Sequence, residues 1–248
     1  MSLGWAPATL VGVRPETATA RTLILRVPTW PGHVAGQHLD VRLTAADGYT
    51  AVRSYSIASA HAADTPAAGE VELTIEQILQ GEVSPYLATQ LGVGDRVEVR
   101  GPIGRWFVWR PSQSEPIQLV AGGSGIAPIM AMVRASRPLV ADGALDPMRL
   151  LYSTRGPETA IFGAELHALH EAGLVELTMA YTRTAPEGWP RPVGRLAPAD
   201  VAAFCWGPDA QPTCYVCGPN GFVESAAELL LGAGHDPDRI RTERFGAP

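Results

Sequence analysis

Along roughly its first hundred positions the chain alternates apolar and polar residues in short runs, at 8–14, 19–27, 37–43, 50–56, 70–78 and 96–100. A two-residue period sends successive side chains to opposite faces, so each run predicts a strand with one buried face. Pro28-Thr29-Trp30-Pro31-Gly32, Asp47-Gly48 and Thr65-Pro66-Ala67-Ala68-Gly69 interrupt the runs. Strands punctuated at this spacing predict a small antiparallel barrel. Trp106 and Trp109 read as packing residues alternating on its last strand. The one helix expected here covers 85–90, with Ser84 as N-cap and Pro85 at the first helical position, where a missing N–H leaves no bond unmade.

Beyond Arg110-Pro111-Ser112-Gln113-Ser114-Glu115-Pro116, a polar stretch without periodicity, the pattern changes. Strand-like runs at 117–121, 149–153, 175–181, 213–217 and 240–245 alternate with helical periods at 126–137, 162–172 and 221–232. That alternation predicts a parallel sheet with helices on both faces. The expected fold is two-domain: an antiparallel β-barrel over 1–110, a linker at 111–116 and an α/β parallel-sheet domain over 117–248.

Composition narrows the chemistry. A length of 248 residues, 46% of them apolar, suits one large packed domain or two ordinary ones, and a net charge of −6 argues mildly against non-specific nucleic-acid binding. All 19 basic residues are arginine, so a phosphate must be met by guanidinium, backbone N–H or hydroxyl groups. Cys205, Cys214 and Cys217 are too few for the four thiolates of an iron–sulfur cluster, and the C-x-x-C spacing of the last two has no second pair to complete a zinc site. The pairs His33/His38 and His167/His170 likewise lack a completing ligand, and no metal is expected. No apolar run approaches the ~20 residues of a membrane helix, and the N-terminus lacks the regions of a signal peptide. The expectation is a soluble, cytoplasmic monomer with reduced cysteines.

Three segments carry candidate chemistry. In the second domain the buried run Gln118-Leu119-Val120-Ala121 feeds Gly122-Gly123-Ser124-Gly125-Ile126-Ala127-Pro128, a glycine turn opening a helix. Free N–H groups there suit a pyrophosphate, although such turns are also purely structural in many proteins. The next strand ends Tyr152-Ser153-Thr154-Arg155 without the acidic residue of an NAD ribose clamp, and the third ends Tyr181-Thr182-Arg183. A hydroxyl beside an arginine suits the 2′-phosphate of NADP; an ordinary solvated strand end is the alternative for each arginine alone.

In the barrel, Arg53-Ser54-Tyr55-Ser56 offers a guanidinium for phosphate, a ring for an aromatic system and a hydroxyl for a ring nitrogen. Gly81-Glu82-Val83-Ser84 leads into the short helix, where an anion is again favoured. That combination suits a flavin. Cys217-Gly218-Pro219 follows the fourth strand of the second domain.

With these motifs in this order, the chain resembles the ferredoxin–NADP reductase superfamily of flavin oxidoreductases, without a fused iron–sulfur domain. The likeness runs from Gly36-Gln37 to Glu243-Arg244-Phe245 and includes Gly101-Pro102-Ile103-Gly104-Arg105 at the end of the barrel. It implies FAD, or FMN as in some branches, held by Arg53, Tyr55, Ser56, Gly81, Val83 and Ser84. It implies NADPH or NADH on Gly122, Gly123, Gly125, Ile126 and Pro128, with Arg155, Thr182 and Arg183 at the 2′-position and Cys217, Gly218 and Pro219 beside the nicotinamide. Ser56 would steady flavin N5, Cys217 would position the nicotinamide, and Glu243 would assist proton or charge balance. Phe245 resembles the terminal aromatic that shields the flavin in plant-type members, or else it only ends a strand. Glu76 and Gln77 depart from the pattern, standing where relatives often carry a basic residue.

The activity implied is hydride transfer from NAD(P)H, with NADPH favoured, to bound FAD. Electrons then pass to a separate ferredoxin, flavodoxin, oxygenase, haem protein or molybdenum protein. A non-catalytic cofactor-binding subunit and a free-flavin or ferric-chelate reductase are the alternatives.

Overall fold

The computed structural model describes residues 4–45, 47–60 and 69–245; the extreme termini and most of the turn expected at 65–69 lie outside the described residues. The chain divides into two units, Met1–Trp109 and Arg110–Pro248.

In the first unit six strands, β1 (Ala6–Pro15), β2 (Ala20–Arg26), β3 (His38–Thr44), β4 (Thr50–Ser56), β5 (Glu70–Glu76) and β6 (Arg96–Ile103), form an antiparallel sheet in the order β4-β3-β6-β1-β2-β5. The two outer strands meet just beyond β4, where Ile57 bridges Leu73 and the Ala58 N–H donates to the Glu72 carbonyl at 2.9 Å. This closes the sheet into a barrel and leaves few strand edges open. Leu10, Leu23, Leu25, Leu39, Val41 and Leu73 fill it, each essentially inaccessible. Burying such a side chain stabilises by about 1.5–3 kcal/mol.

The helix α1 (Ser84–Thr89) seals this core with Val83 and Leu87. Its C-terminal carbonyls have no intrahelical partner, and Arg21 supplies one by donating to the Leu87 and Leu91 carbonyls at 2.7–2.9 Å. The expected N-cap role of Ser84 is corrected: Ser84 is already helical, the capping position falls on Val83, and the Ser84 hydroxyl accepts the Ile78 N–H at 3.1 Å. That bond ties down the turn that precedes α1. Trp106 and Trp109 also fall elsewhere than expected. Gly104, at φ +107°, ends β6 before both, leaving Trp106 60% exposed and Trp109 buried off the strand.

In the second unit β7 (Ile117–Gly122), β8 (Met148–Thr154), β9 (Val175–Tyr181), β10 (Thr213–Pro219) and β11 (Ile240–Phe245) form a parallel sheet in the order β11-β10-β7-β8-β9. Every residue of central β7 is buried, as a strand flanked on both sides and both faces requires. The chain steps from β7 outward to β9 and then returns past β7 to β10. Strand ends on the two sides of that reversal diverge and leave a crevice between their loops.

The connecting helices are α2 (Ile126–Ala141), α3 (Gly163–Glu171), α4 (Pro198–Phe204) and α5 (Asn220–Gly232). α4 and α5 contribute Val201, Val223, Ala226 and Leu230 to a core shared with Val120, Leu151 and Val216. α2 continues a turn past Pro138, where the sequence predicts an end at 137, because proline forfeits only one bond and the Asp142 N–H still donates to the Pro138 carbonyl at 3.0 Å. α4 has no counterpart in the sequence reading. It is too short for a clear period, and its start is marked by Pro198 and by Asp200 accepting the Ala197 N–H at 2.8 Å.

Candidate flavin and nucleotide sites

Two of the expected flavin elements touch. Arg53 on β4 donates to Glu82, in the turn before α1, at 2.8 Å, and the Tyr49 hydroxyl donates to the other oxygen of the same carboxylate at 3.1 Å. Both Arg53 and Glu82 are about half exposed, so the pair can exchange partners at little cost. Tyr55 shares a strand face with Arg53 and packs partly against the barrel core. Burial pushes its phenol up to about 12, against a smaller opposing effect of Arg53, so the ring stays neutral. Ser56 is buried at the strand end. At Gly81 a Cβ would press on the Ser84 hydroxyl at 2.9 Å and the Ile78 carbonyl at 3.1 Å, so the turn is closely packed there and takes no side chain. An exchangeable cation, a neutral aromatic face and a hydroxyl fit a flavin and its phosphate.

In the second unit the glycine loop and the Cys217 segment are packed backbone to backbone. A Cβ on Gly125 would collide with the Cys217 carbonyl and stand 2.6 Å from the Gly218 Cα, while one on Gly122 would enter the Phe222 ring. Gly123 takes φ +53°, and its carbonyl accepts from the buried Tyr152 hydroxyl at 3.2 Å. Pro128 sits in the first turn of α2, where its missing N–H leaves no bond unmade. The result is a close-packed glycine turn at the end of β7 in which no side chain fits at Gly122 or Gly125.

Beside it lies a cleft of about 480 Å³ lined by Ser153, Arg155, Thr182, Arg183, Arg195, Phe222 and Ser225, among others, and by no carboxylate. β8 delivers Ser153 and Arg155, and β9 delivers Thr182 and Arg183. The two strand ends are tied together by the Thr182 and Arg183 N–H groups donating to the Thr154 and Arg155 carbonyls at 2.9 Å. Arg155, Arg183 and Arg195 are exposed, and among the described residues none has an ion-pair partner. Three guanidinium groups with hydroxyls between them and no carboxylate suit an anion.

Residues 15–108 match the family model of oxidoreductase FAD-binding domains, and residues 119–228 match that of oxidoreductase NAD-binding domains. The chain is 30% identical to NADH-cytochrome b5 reductase 1 of Kluyveromyces lactis over 202 residues, which cover 81% of this chain and 69% of that protein. It belongs to the ferredoxin–NADP reductase superfamily. A second relative is the ferredoxin reductase component of the 3-ketosteroid-9-alpha-monooxygenase of Mycolicibacterium smegmatis, 28% identical over 93% of this chain and 62% of its own length. Among solved structures, the flavohem-like FAD/NAD binding domain of nitric oxide dioxygenase from Vibrio cholerae superposes with a TM-score of 0.83 at 22% identity, covering 98% of this chain and 99% of that one. The ferredoxin reductase in carbazole 1,9a-dioxygenase does so with a TM-score of 0.81 at 26% identity, covering 98% and 70%.

As a member of this superfamily the protein is a flavin-dependent oxidoreductase with an FAD-binding and a nicotinamide-nucleotide-binding domain. Its remaining expected site residues divide by environment. Cys217 is wholly buried; burial first, and the charge of Glu243 second, hold its thiol well above the ordinary value, so it presents S–H and not thiolate at neutral pH. Glu243 stands opposite Cys217 in the β10–β11 register, and Phe245 ends β11 opposite Pro219. Gly218, at φ +157°, lies close to both the Phe222 ring and the Gly122 carbonyl. Sequence reasoning missed Glu82's partnership with Arg53, and it missed Arg195, Phe222 and Ser225. Phe222 was within reach, since it follows Cys217-Gly218-Pro219 by only three residues. Arg195 gives no local signal, lying in a proline- and glycine-rich stretch with no period. Three of the four histidines of the sequence reading serve locally: His33 bonds Trp30 and the Ser59 carbonyl, His167 the Gly163 carbonyl and His170 the Val175 carbonyl. Among the described residues no cluster of His, Cys, Asp and Glu could hold a metal ion, and no helix is long and apolar enough to cross a membrane.

Proposed function

We propose that this protein oxidises NADPH in preference to NADH and, through FAD on its barrel, passes the electrons to a separate acceptor protein. The nucleotide preference is carried by the cleft in which Arg155, Arg183 and Arg195 stand with Ser153, Thr182 and Ser225 and without a carboxylate. A 2′-phosphate brings close to two negative charges to such a site, whereas a bare ribose hydroxyl leaves its guanidinium groups without a counter-charge. The Kluyveromyces lactis relative is named for NADH. Preference, however, is a property of the groups at the 2′-position, and those are read from this chain's own strand ends.

The division of labour follows the chemistry of each group. Arg53 and the backbone at Gly81, Val83 and Ser84 hold the flavin's phosphates, Tyr55 supports its ring and Ser56 donates to its N5 edge. Gly122, Gly123, Gly125, Ile126 and Pro128 receive the pyrophosphate of the nucleotide on bare backbone and a helix start. Cys217, Gly218 and Pro219 orient the nicotinamide, and Glu243 balances charge beside Cys217. FAD held there would supply a hydride acceptor able to give up electrons one or two at a time. The three cysteines of these two domains are all buried and too few for the four thiolates of a cluster, so the electrons are read as leaving both domains for an acceptor outside them.

The test is anaerobic mixing of the flavin-loaded protein with NADPH and with NADH, followed by addition of ferricyanide. Bleaching of the flavin, faster with NADPH, and recovery of its colour on adding ferricyanide are expected. Failure to retain flavin through gel filtration, or equal rates with the two nucleotides, overturns the proposal.

A further inference from the structure

Arg195 reaches the nucleotide cleft from an irregular segment, residues 182–197, that joins β9 to α4 and carries three prolines and two glycines. No helix or strand holds it. A buried ion pair anchors it: Arg191 Nε and Nη2 donate to the two oxygens of Asp200 at 2.7 and 2.8 Å, and each side chain is only 9% exposed. The remaining donors of the same guanidinium go to the segment's own backbone. Nη1 reaches the Pro192 and Gly194 carbonyls at 2.9 and 3.2 Å, and Nη2 reaches the Arg195 carbonyl at 3.0 Å. All five N–H groups of Arg191 are therefore committed.

Asp200 in turn accepts the Ala197 N–H at 2.8 Å, and the Gly194 N–H donates to the Tyr181 carbonyl at 3.0 Å. The backbone of Arg195 is fixed on both sides and at its own carbonyl, while its side chain extends without a carboxylate partner among the described residues into the cleft shared with Arg155 and Arg183. We infer that Arg191 and Asp200 are positioning residues that aim Arg195 at the 2′-phosphate and so set nucleotide selectivity, an inference that rests on the reading of the cleft as a 2′-phosphate site. Burial opposes the charge on Asp200, but the hydrogen bonds from Arg191 and Ala197 and the guanidinium charge outweigh it and hold its carboxyl below the ordinary value. The pair is thus ionised at working pH. A lysine at 191 would carry the charge without the planar fork that grips three carbonyls.

A merely structural latch would weaken every nucleotide equally; a positioning latch acts on the 2′-phosphate alone. The segment has a second anchor, Trp189 against Tyr181 at 4.9 Å between ring centroids, which keeps it docked when the latch is loosened. For Asp200→Asn in the flavin-loaded protein, KM for NADPH rises about tenfold with kcat unchanged, while KM for NADH moves less than about twofold. Arg191→Lys gives the same split and covers the case in which the first variant fails to fold. On an Arg195→Ala background Asp200→Asn adds nothing to the change in the NADPH/NADH ratio, as residues acting through one another require. Equal losses for NADPH and NADH, or additive effects in the double variant, overturn the inference. Separately, if the unaltered protein binds adenosine 2′,5′-bisphosphate no more tightly than 5′-AMP, the reading of the cleft itself fails and the inference falls with it.

Discussion

The carbonyl of Cys217 stands where a side chain on Gly125 would have to be. Gly125 lies in the turn after β7 and Cys217 in β10, and their closeness joins the end of β7 to the end of β10. Gly125→Ala forces backbone apart, so a loss of about 1–3 kcal/mol in stability is expected together with a marked rise in nucleotide KM. Gly123→Ala meets no atom within 4 Å and suffers only its left-handed backbone at φ +53°, a cost of about 1–2 kcal/mol. Urea midpoints and steady-state kinetics on the two variants check this. Equal nucleotide KM values for Gly125→Ala and the parent would refute the close packing.

Arg53 and Glu82 predict opposite effects on flavin. Loss of the guanidinium in Arg53→Ala removes a charge-assisted contact worth about 1.5–3 kcal/mol, and FAD affinity falls about 10- to 100-fold. Glu82→Gln removes the competing carboxylate, and since a half-exposed pair is worth about 0–1 kcal/mol, affinity rises no more than about fivefold. Fluorescence titration of deflavinated protein measures both. A fall in affinity for Glu82→Gln would show that the carboxylate serves the flavin instead of opposing it.

Removing one arginine from the cleft tests the nucleotide reading directly. Arg183→Ala lowers kcat/KM for NADPH by about 10- to 100-fold and that for NADH far less, because the lost partner is the phosphate. A selectivity ratio equal to the parent's would remove Arg183 from the site.

The three cysteines are closed to solvent, and burial pushes Cys205 and Cys214 up to about 12 and Cys217 well above its ordinary value. Thiolate is the reactive form, so iodoacetamide near pH 7.5 leaves the folded protein unmodified and labels all three after unfolding. Intact-mass spectrometry distinguishes the outcomes. Rapid labelling of native Cys217 would contradict its burial.

Acid lability has an identifiable source. Burial opposes the charge on Asp40, but bonds from Ser54 and Arg100 and the Arg100 charge outweigh it and lower its pKa, as Arg191 does for Asp200. A lowered folded pKa means stability that is fully present above the unfolded value of about 3.9 and is lost as pH falls through the folded value. Urea midpoints should therefore hold from about pH 6 to 5 and drop steeply below about pH 4. Asp40→Asn should lower the plateau and flatten the drop; a parallel pH profile would assign the acid loss elsewhere.

Much of this was legible in the residues themselves. The runs at 50–56, 175–181 and 240–245 coincide with β4, β9 and β11 because alternation or continuous apolar character marks a strand without help from the rest of the fold. Arg155, Thr182 and Arg183 could be placed just past strand ends because strand ends can be found by pattern. Ser84 misled because a serine before a proline reads as a cap, and only the three-dimensional turn gives its hydroxyl to Ile78. The Arg191–Asp200 pair was invisible for a different reason. The partners stand nine positions apart, one in irregular chain and the other in the first turn of α4, and no periodicity predicts which side chains such a segment will bring together.

The reversal of strand order at β7 separates what can evolve from what cannot. On one side, Gly122, Gly125 and Gly218 are locked against strand backbone or the Phe222 ring and admit almost no substitution. On the other, the tips of β8 and β9 and the segment that follows them carry the cations of the proposed 2′-phosphate site on exposed side chains. If that proposal holds, exchanging the outer portion as a cassette offers a route by which descendants, or an engineer, retune nicotinamide usage while the inherited glycine turn stays intact.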